Sequence, residues 1–248
     1  MLENNNENHS LNEQSFPLVR IRTRGYRVFG RQKFSKETIN SFLDLLEKAE
    51  NVDSNNAKLK GRTPLIESNI DPIGEIILKR YRRGGLLSWL LSNTHSRITE
   101  TRSRLEFNLL NKVRNLGVKA PEPMVYIEKG EFFYNGWLVT KKIPGAVNLI
   151  DFIKSNPDKS IIILNNLAIQ IKLLIKNGIH HIDLHPGNVV VDDKFECWIV
   201  DFDKGLNFSG SKIELRNKYL RRWRRAVIKH KLPEVMSEVI ALELRDHV

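Results

Sequence analysis

The chain carries the stretch His181-Ile182-Asp183-Leu184-His185-Pro186-Gly187-Asn188, and Asp201-Phe202-Asp203 follows further along the sequence. Asp183 and Asn188 are five residues apart (188 − 183), so one compact loop can direct both side chains towards a single point. Asp201 comes thirteen residues after Asn188 (201 − 188). It can lie beside Asp183 and Asn188 only if the chain between Asn188 and Asp201 folds back on itself. This requirement makes the segment the part of the sequence that decides the fold.

Two short runs rich in β-branched residues, 189–191 and 197–200, separate the two halves of this motif. The polar residues Asp192-Asp193-Lys194 lie between the runs, and the whole pattern predicts two strands joined by a turn. An antiparallel hairpin brings its two ends together. We therefore predict that Asn188, which enters the hairpin, and Asp201, which leaves it, are neighbours.

Two carboxylates and one amide at a single point are suited to phosphoryl transfer. One carboxylate receives the proton of the acceptor hydroxyl, and two oxygen ligands hold Mg²⁺ on the nucleotide phosphates. We assign the first role, that of the catalytic base, to Asp183. We assign the metal-ligand role to Asn188 and Asp201.

A transition-metal site is the alternative interpretation of the same segment, because imidazole and carboxylate are good ligands for such ions. It would use His180, His181, Asp183 and His185. This alternative, a metallohydrolase, explains neither Asn188 nor Asp201, whereas phosphoryl transfer uses both.

The motif is similar to the catalytic loop and the metal-binding motif of protein-kinase-like enzymes, because residue type, order and spacing all agree. Asp203 stands where protein kinases have glycine. Together with two further segments, the form Asp-Phe-Asp-Lys-Gly at 201–205 resembles the 3-deoxy-D-manno-octulosonic acid (Kdo) kinase family. Those segments are Tyr81-Arg82-Arg83-Gly84-Gly85 and Ile143-Pro144-Gly145-Ala146, and the resemblance runs from about Gly61 to about Lys231.

The resemblance implies an α+β fold of the protein-kinase-like type, with two lobes. We expect an N-terminal lobe with an antiparallel sheet at 16–143 and a short, mainly helical C-terminal lobe at 144–248. We expect residues 1–15, which are rich in Asn and Glu and lack the apolar stretch of a signal peptide, to form a disordered tail. The resemblance also implies ATP and Mg²⁺ as cofactors.

The same resemblance identifies an ion pair in the nucleotide-binding lobe. Lys79 follows an apolar run in the predicted strand 73–81, at the place of the lysine that contacts nucleotide phosphates. Arg80 is the competing candidate, because strand alternation puts it on the opposite face. Glu106 lies on a helix predicted between residues 99 and 116 and would hold the Lys79 ammonium, with Glu100 as its rival.

Two more cofactor-binding positions follow from the resemblance. Gly61 stands in the phosphate-binding loop, where the family has several glycines whose backbone amides bind phosphate and this sequence has one. The segment 140–143, which ends at Ile143, matches the hinge that meets adenine. Lys141 occupies a hinge position at which the family commonly has an acidic residue.

One segment carries most of the net charge of +11. Residues 212–231 hold nine Lys or Arg and one Glu, a net charge of +8, which leaves +3 (11 − 8) for the rest. Apolar residues at helical spacing predict an amphipathic helix, which would either bind an anionic membrane surface or pack on the core, and both are compatible. Nucleic-acid binding is a third option that nothing else in the sequence supports. The apolar residues are Leu215, Tyr219, Leu220, Trp223 and Val227.

The length of the chain after the motif argues against a protein kinase. Only 45 residues follow Asp203 (248 − 203), too few for a peptide-binding segment and the helices that support it. A small acceptor such as a sugar fits better. The single cysteine, Cys197, excludes a disulfide within the chain, and no apolar run approaches the roughly 20 residues that span a bilayer.

These observations lead to one hypothesis and three alternatives. We expect an ATP-dependent kinase that phosphorylates a hydroxyl of Kdo on a lipid-linked lipopolysaccharide precursor, at the cytoplasmic face of a bacterial inner membrane. Arg82 and Arg83 would pair with anionic groups of the acceptor, and the apolar run at 86–91 would pack in the core or enter lipid. The alternatives are a heptose kinase of the same pathway, another small-molecule kinase of this fold, and a pseudokinase that only binds.

Overall fold

The computed structural model of the protein describes residues 18–55, 65–81, 101–130 and 135–245, with the side chains of 51–55 excepted. Several sequence predictions lie outside these residues. They are the tail at 1–15, Gly61, the segment Arg82 to Gly85, the apolar run at 86–91 and Glu100.

The N-terminal part is built on a six-stranded antiparallel sheet with the order β1-β2-β5-β6-β4-β3. The two central strands, β5 and β6, are buried almost throughout, whereas the outer strand β1 alternates between half-buried and exposed residues. This difference follows from position, because a central strand is covered on both faces. The strands are β1 (Val19–Thr23), β2 (Tyr26–Gly30), β3 (Ile66–Ile70), β4 (Gly74–Tyr81), β5 (Pro123–Lys129) and β6 (Asn135–Lys141).

The hairpin of β1 and β2 was not predicted, because residues 16–32 mix polar and apolar side chains. Its two turn residues, Arg24 and Gly25, both have positive φ, at 51° and 77°. A two-residue turn of this kind matches the twist of the strands that it joins. The signal in the sequence is Gly25 followed by the alternation Tyr26, Val28, Gly30, which are the buried positions of β2.

Helix α1 (Lys36–Asn55) covers one face of this sheet. The predicted helix began at the same residue and ended at Lys48, so the observed helix is two turns longer. Phe42, Leu43 and Leu46 of α1 are buried against sheet residues that include Val125 and Trp137. This cluster anchors the sheet on its outer side.

The C-terminal part is mainly helical and packs around a second, larger cluster of buried residues. Helix α4 contributes seven residues to this cluster, which also includes Phe107 of α2 and Tyr126 of the sheet, so it joins the two parts of the chain. The helices are α2 (Arg102–Asn115), α3 (Leu149–Ser155), α4 (Ser160–Lys176), α5 (Lys212–Lys229) and α6 (Val235–Glu243). The short strands are β7 (Val147–Asn148), β8 (Ile179–His180), β9 (Val189–Val191), β10 (Cys197–Ile199) and β11 (Leu206–Asn207).

An antiparallel sheet followed by a mainly helical part confirms the predicted α+β class. The predicted helix between residues 99 and 116 is α2, and Gly117 ends it with φ +87°. Leu105 was expected in its apolar stripe, but the side chain is 47% exposed. Within the described ranges, no helix combines the length and apolar character that crossing a bilayer requires.

Two neighbouring isoleucines of α4 test the packing of the larger cluster. Ile163 is 1% exposed and Ile162 is 62% exposed. Replacement of Ile163 by Ala should lower the free energy of unfolding by about 2–5 kcal/mol, because it leaves a cavity in the core. Ile162→Ala is the matched control and should change this free energy by less than about 0.5 kcal/mol. Equal denaturant midpoints for the two variants would contradict the packing described.

Candidate active site

The loop at 181–188 begins where α4 ends. Gly178 adopts φ +62°, and β8 then pairs with β11, which fixes the start of the loop. A short 3-10 turn, Pro186–Asn188, closes the loop and leads into β9. Val191 of β9 lies opposite Cys197 of β10, and the Val200 N–H donates to the Asn188 carbonyl at 3.0 Å. The hairpin therefore brings the chain segments of Asn188 and Asp201 together.

His181 holds this loop to the strand that precedes Asp201. The side chain is buried, and its Nε2 lies 2.9 Å from the Val200 carbonyl oxygen. The His181 backbone N–H donates to the Tyr219 hydroxyl at 2.8 Å, and that hydroxyl donates to the Ile179 carbonyl at 2.7 Å. Burial lowers the pKa of His181 below its usual value, which favours the neutral ring. The histidine therefore serves as a structural support of the loop.

The three histidine rings of this region have separate neighbours. His181 contacts Val200, while His185 Nδ1 accepts from the Gly187 N–H at 3.0 Å. The His180 ring packs edge-on against Phe208 and Tyr219. These contacts assign each ring to a different local structure, which does not favour the transition-metal alternative.

Lys79 lies at the centre of a cluster of charges between the sheet, α2 and the end of the hairpin. Its Nζ is 2.9 Å from Glu106 Oε2 and 2.5 Å from Asp201 Oδ1. The Tyr81 hydroxyl donates to the same Glu106 oxygen. Arg80, the competing candidate, lies on the other face of β4 and pairs with Glu50 at 3.6 Å. The structure thus brings together Lys79, Glu106 and Asp201 and places Arg80 elsewhere.

Burial and charge act in opposite directions on this cluster. Burial alone lowers the pKa of Lys79, but the carboxylates of Glu106 and Asp201 more than offset it, so the pKa lies above its usual value. Burial raises the pKa of Glu106, and the Lys79 ammonium and the Tyr81 hydroxyl oppose that rise. Burial and Glu106 raise the pKa of Tyr81 well above its usual range. The lysine is therefore a firmly held cation and the tyrosine a hydrogen-bond donor.

Asp183 faces two cations that the sequence predictions did not include. Its Oδ1 accepts from Arg222 Nη2 at 2.6 Å and from Arg222 Nε at 3.1 Å, and its Oδ2 is 4.0 Å from Lys204 Nζ. Burial raises the pKa of Asp183, but Arg222 and Lys204, with His185, more than offset it, so the pKa lies below its usual value. Asp183 is thereby kept ionised, as an acceptor of a proton must be.

Arg222 reaches Asp183 because α5 packs against the core in one fixed orientation. Leu215, Tyr219, Trp223 and Val227 are buried, and Leu220 is partly buried, so the predicted apolar stripe packs on the core. The arginines therefore face outwards and towards the 181–188 loop. The charge of this segment was recognised in the sequence, but its position beside Asp183 was not.

Asn188 and Asp201 are the candidate Mg²⁺ ligands, and their chemistry fits that ion. The Asn188 side-chain N–H donates to the Asp183 carbonyl at 3.0 Å, which orients the amide. Asp201 adopts φ +65°, and its side chain is 40% exposed beside Lys79. Amide and carboxylate oxygens are donors that Mg²⁺ takes.

Asp203, the residue in place of the kinase glycine, forms an ion pair with Arg102 of α2. Two residues later, a Cβ at Gly205 would overlap the Leu109 side chain of the same helix. The segment 201–205 is therefore fitted closely to α2, which also carries Glu106. These contacts give Asp203 and Gly205 of the form Asp-Phe-Asp-Lys-Gly a structural role.

The predicted hinge lies where β6 ends. Ile143 is buried, and the Lys142 N–H donates to the Glu75 carbonyl at 3.0 Å. Lys141 Nζ lies 3.3 Å from Glu122 Oε2, so its charge is paired with a carboxylate just before β5. A role of Ile143 in adenine binding stays a prediction.

Loss of the Arg222 guanidinium should raise the pKa of Asp183. The favourable interaction with ionised Asp183 disappears in Arg222→Gln, while burial of the carboxyl group continues to favour the protonated form. The carbon-13 resonance of the Asp183 carboxyl group, assigned with Asp183→Asn, would give this pKa directly. Arg224→Gln is the control, since it removes the same charge from α5 without contacting Asp183. An equal Asp183 pKa in both arginine variants would contradict the assignment.

Sequence comparison with known proteins finds kinases, which agrees with the arrangement of side chains in the candidate site. A family model described as the Lipopolysaccharide kinase (Kdo/WaaP) family matches residues 45–238, which is 194 of the 248 residues (238 − 45 + 1). A 3-deoxy-D-manno-octulosonic acid kinase of Vibrio cholerae is 33% identical over 130 residues, 51% of this chain and 55% of the relative. Proteins of the same name from Photobacterium damsela subsp. piscicida and Xylella fastidiosa (strain M12) are 31% identical over 156 residues and 29% identical over 161 residues.

The length of these matches differs between the relatives. The chain spans about half of the length of the Vibrio cholerae protein, 64% of the Photobacterium protein and 63% of the Xylella protein. The family match includes the 181–188 loop, Asp201, Lys79 and Glu106, and the predicted protein-kinase-like fold agrees with it. Since the family model covers more than half of its residues, the chain belongs to the lipopolysaccharide kinase (Kdo/WaaP) family.

Proposed function

We propose that this protein is an ATP-dependent kinase that phosphorylates a hydroxyl of a Kdo residue in a lipid-linked lipopolysaccharide precursor. One observation carries the proposal. The Lys79 ammonium contacts both Glu106 and Asp201, while the hairpin that ends at Asp201 begins beside Asn188 and the Asp183 loop. Membership of the Kdo/WaaP family and the names of the relatives support the choice of acceptor.

Each residue has a distinct task in this proposal. Asp183 orients the acceptor hydroxyl and accepts its proton, because Arg222 and Lys204 help to keep it ionised. Lys79, held by Glu106, neutralises charge on the nucleotide phosphates. Mg²⁺, for which Asn188 and Asp201 provide oxygen ligands, would neutralise further phosphate charge when bound. Ile143 lies at the hinge proposed for adenine, and Gly61 would contribute to the phosphate-binding loop.

A transfer assay tests this proposal. Purified protein with Mg²⁺ and ATP should phosphorylate a lipid-linked Kdo acceptor, and Asp183→Ala should lower the rate by about 10²–10⁴-fold because it removes the proton acceptor. Asp193→Ala is the matched control, because Asp193 is an exposed aspartate in the turn of the same hairpin. Phosphate transfer is measured by mass spectrometry of the acceptor.

A lipid-linked heptose acceptor distinguishes the related activity. Transfer to heptose alone would overturn the Kdo assignment and leave the kinase mechanism in place. No transfer to either acceptor would favour a pseudokinase. Rates for Asp183→Ala equal to those of Asp193→Ala would overturn the role of Asp183.

We further propose that the protein works at the cytoplasmic face of the bacterial inner membrane, as a peripheral protein. A lipid-linked acceptor requires contact with a membrane surface, and α5 carries a basic face that is exposed. The apolar stripe of this helix is buried in the core, so the membrane contact would be electrostatic rather than an insertion of the stripe. No nucleic acid is expected as a partner.

Binding to anionic vesicles tests the membrane proposal. Binding should weaken as salt is added, and simultaneous Gln substitution of Arg221, Arg222, Arg224 and Arg225 should abolish it, because each basic residue near an anionic surface contributes about 1 kcal/mol. In a control variant, four exposed lysines outside α5 are replaced by Gln. Its binding, measured by co-sedimentation, should change much less. Binding that survives the four arginine substitutions would overturn the proposal. The control positions are Lys33, Lys36, Lys154 and Lys194.

A further inference from the structure

A cavity of about 300 Å³ lies next to Asp183, between α5 and the start of the 181–188 loop. Arg222 lines this cavity and also bonds the Asp183 carboxylate, and Ile182, the residue before Asp183, forms part of its wall. The cavity therefore adjoins the group to which we assign proton transfer. Its lining residues are His180, Ile182, Lys218, Arg221, Arg222 and Arg225.

Four cations of α5 face this cavity. Lys218, Arg221, Arg222 and Arg225 are spaced at i, i+3, i+4 and i+7, which places them on one side of a helix. Within the described part of the chain, Arg222 pairs with Asp183, while Lys218, Arg221 and Arg225 form no ion pair with a carboxylate. Like charges that share one face repel each other, and an anion in the cavity relieves that repulsion.

These cations are held on a rigid element. Tyr219, Trp223 and Ala226 of the same helix are buried, and the Trp223 ring N–H donates to the Met236 carbonyl at 2.7 Å. A capping box formed by Ser211 and Glu214 fixes the first turn. The backbone that carries these charges is therefore fixed before a ligand binds, so binding has to order only their side chains.

The remaining lining residues suit a sugar. Ile182 is 38% exposed and offers an apolar surface to the carbon-hydrogen face of a sugar ring. Burial, together with the charge of Lys218, lowers the pKa of His180, which favours the neutral imidazole. A neutral imidazole both donates and accepts hydrogen bonds, as sugar hydroxyls require.

We propose that this cavity is the acceptor subsite, in which Lys218, Arg221, Arg222 and Arg225 bind an anionic oxygen group of the acceptor. The ligand class is an acidic sugar, and the anion is either its carboxylate or a phosphate of the molecule that carries it. When the anion binds in the cavity, a hydroxyl of the same sugar lies at Asp183, the proposed catalytic base. Arg222 then stands between the anion and Asp183. This inference rests on the proposed function, of which it names the acceptor site.

The experiment measures the binding of three soluble probes to the full chain by NMR. The readout is the shift of the arginine side-chain N–H resonances of the protein. The probes are the methyl glycoside of Kdo, the methyl ester of that glycoside, which lacks the negative charge, and inorganic phosphate. Arg225→Gln should weaken binding of the charged probe roughly tenfold or more, because it removes a charge-assisted hydrogen bond. Lys212→Gln is the control, since Lys212 is an exposed cation in the first turn of the same helix, outside the cavity lining.

The probes separate the two sources of the anion. Binding of the glycoside but not of its ester supports the carboxylate, and binding of phosphate in the same place supports the phosphate. The subsite is overturned if no probe shifts the resonances of Arg221, Arg222 and Arg225. It is also overturned if Arg225→Gln and Lys212→Gln bind the probes equally well.

The transfer assay distinguishes failure of the subsite from failure of the proposed kinase activity. Probes that bind through Arg225 in a protein that transfers phosphate to no acceptor would overturn the kinase proposal and support the cavity as a binding site for acidic sugars. If Arg225→Gln transfers phosphate with the same KM for the acceptor as the unsubstituted protein, the subsite is overturned and the kinase proposal stands. In the expected result, Arg225→Gln raises the acceptor KM and leaves the KM for ATP unchanged.

Discussion

The ion pair of Lys79 and Glu106 is the interaction on which the rest of the site depends. Glu106 is buried on α2, and a buried carboxylate costs several kcal/mol unless it is paired and hydrogen-bonded. Lys79 and Tyr81, two residues apart on β4, both reach it because alternate residues of a strand share a face. Removal of one partner from such a pair typically costs about 3–5 kcal/mol. This pair fixes α2 against β4 and leaves the same ammonium group within reach of Asp201.

Elements that depend on local chain geometry were predictable from the sequence. The hairpin between Asn188 and Asp201 needs only two short strands and a turn, and the observed antiparallel strands Val189–Val191 and Cys197–Ile199 agree with the prediction. Strand alternation likewise separated Lys79 from Arg80, and the structure places them on opposite faces. One argument rests on the geometry of an antiparallel hairpin and the other on the two-residue period of a strand, and both are local properties of the chain.

Contacts between distant segments were not predictable in the same way. Arg222 and Asp183 are 39 residues apart (222 − 183), and their contact depends on how α5 is rotated against the core. The sequence identified the apolar stripe of α5 but not the element that covers it. Leu105 shows the same limit, because helical spacing placed it in a buried stripe, while the observed packing of α2 leaves it 47% exposed.

The burial of the α5 stripe decides what its basic face can do. A free amphipathic helix would insert its apolar side among lipid chains, but in this structure Leu215, Tyr219 and Trp223 already pack in the core. The cations are then available for electrostatic contacts, which act over about 8 Å at physiological ionic strength. Some of them face the cavity beside Asp183, and Arg224 and Lys229 of the same helix line a neighbouring concave surface with Arg221 and Arg225. One helix can therefore bind the charged group of an acceptor while it faces an anionic surface, because its orientation is set by the core and not by either ligand.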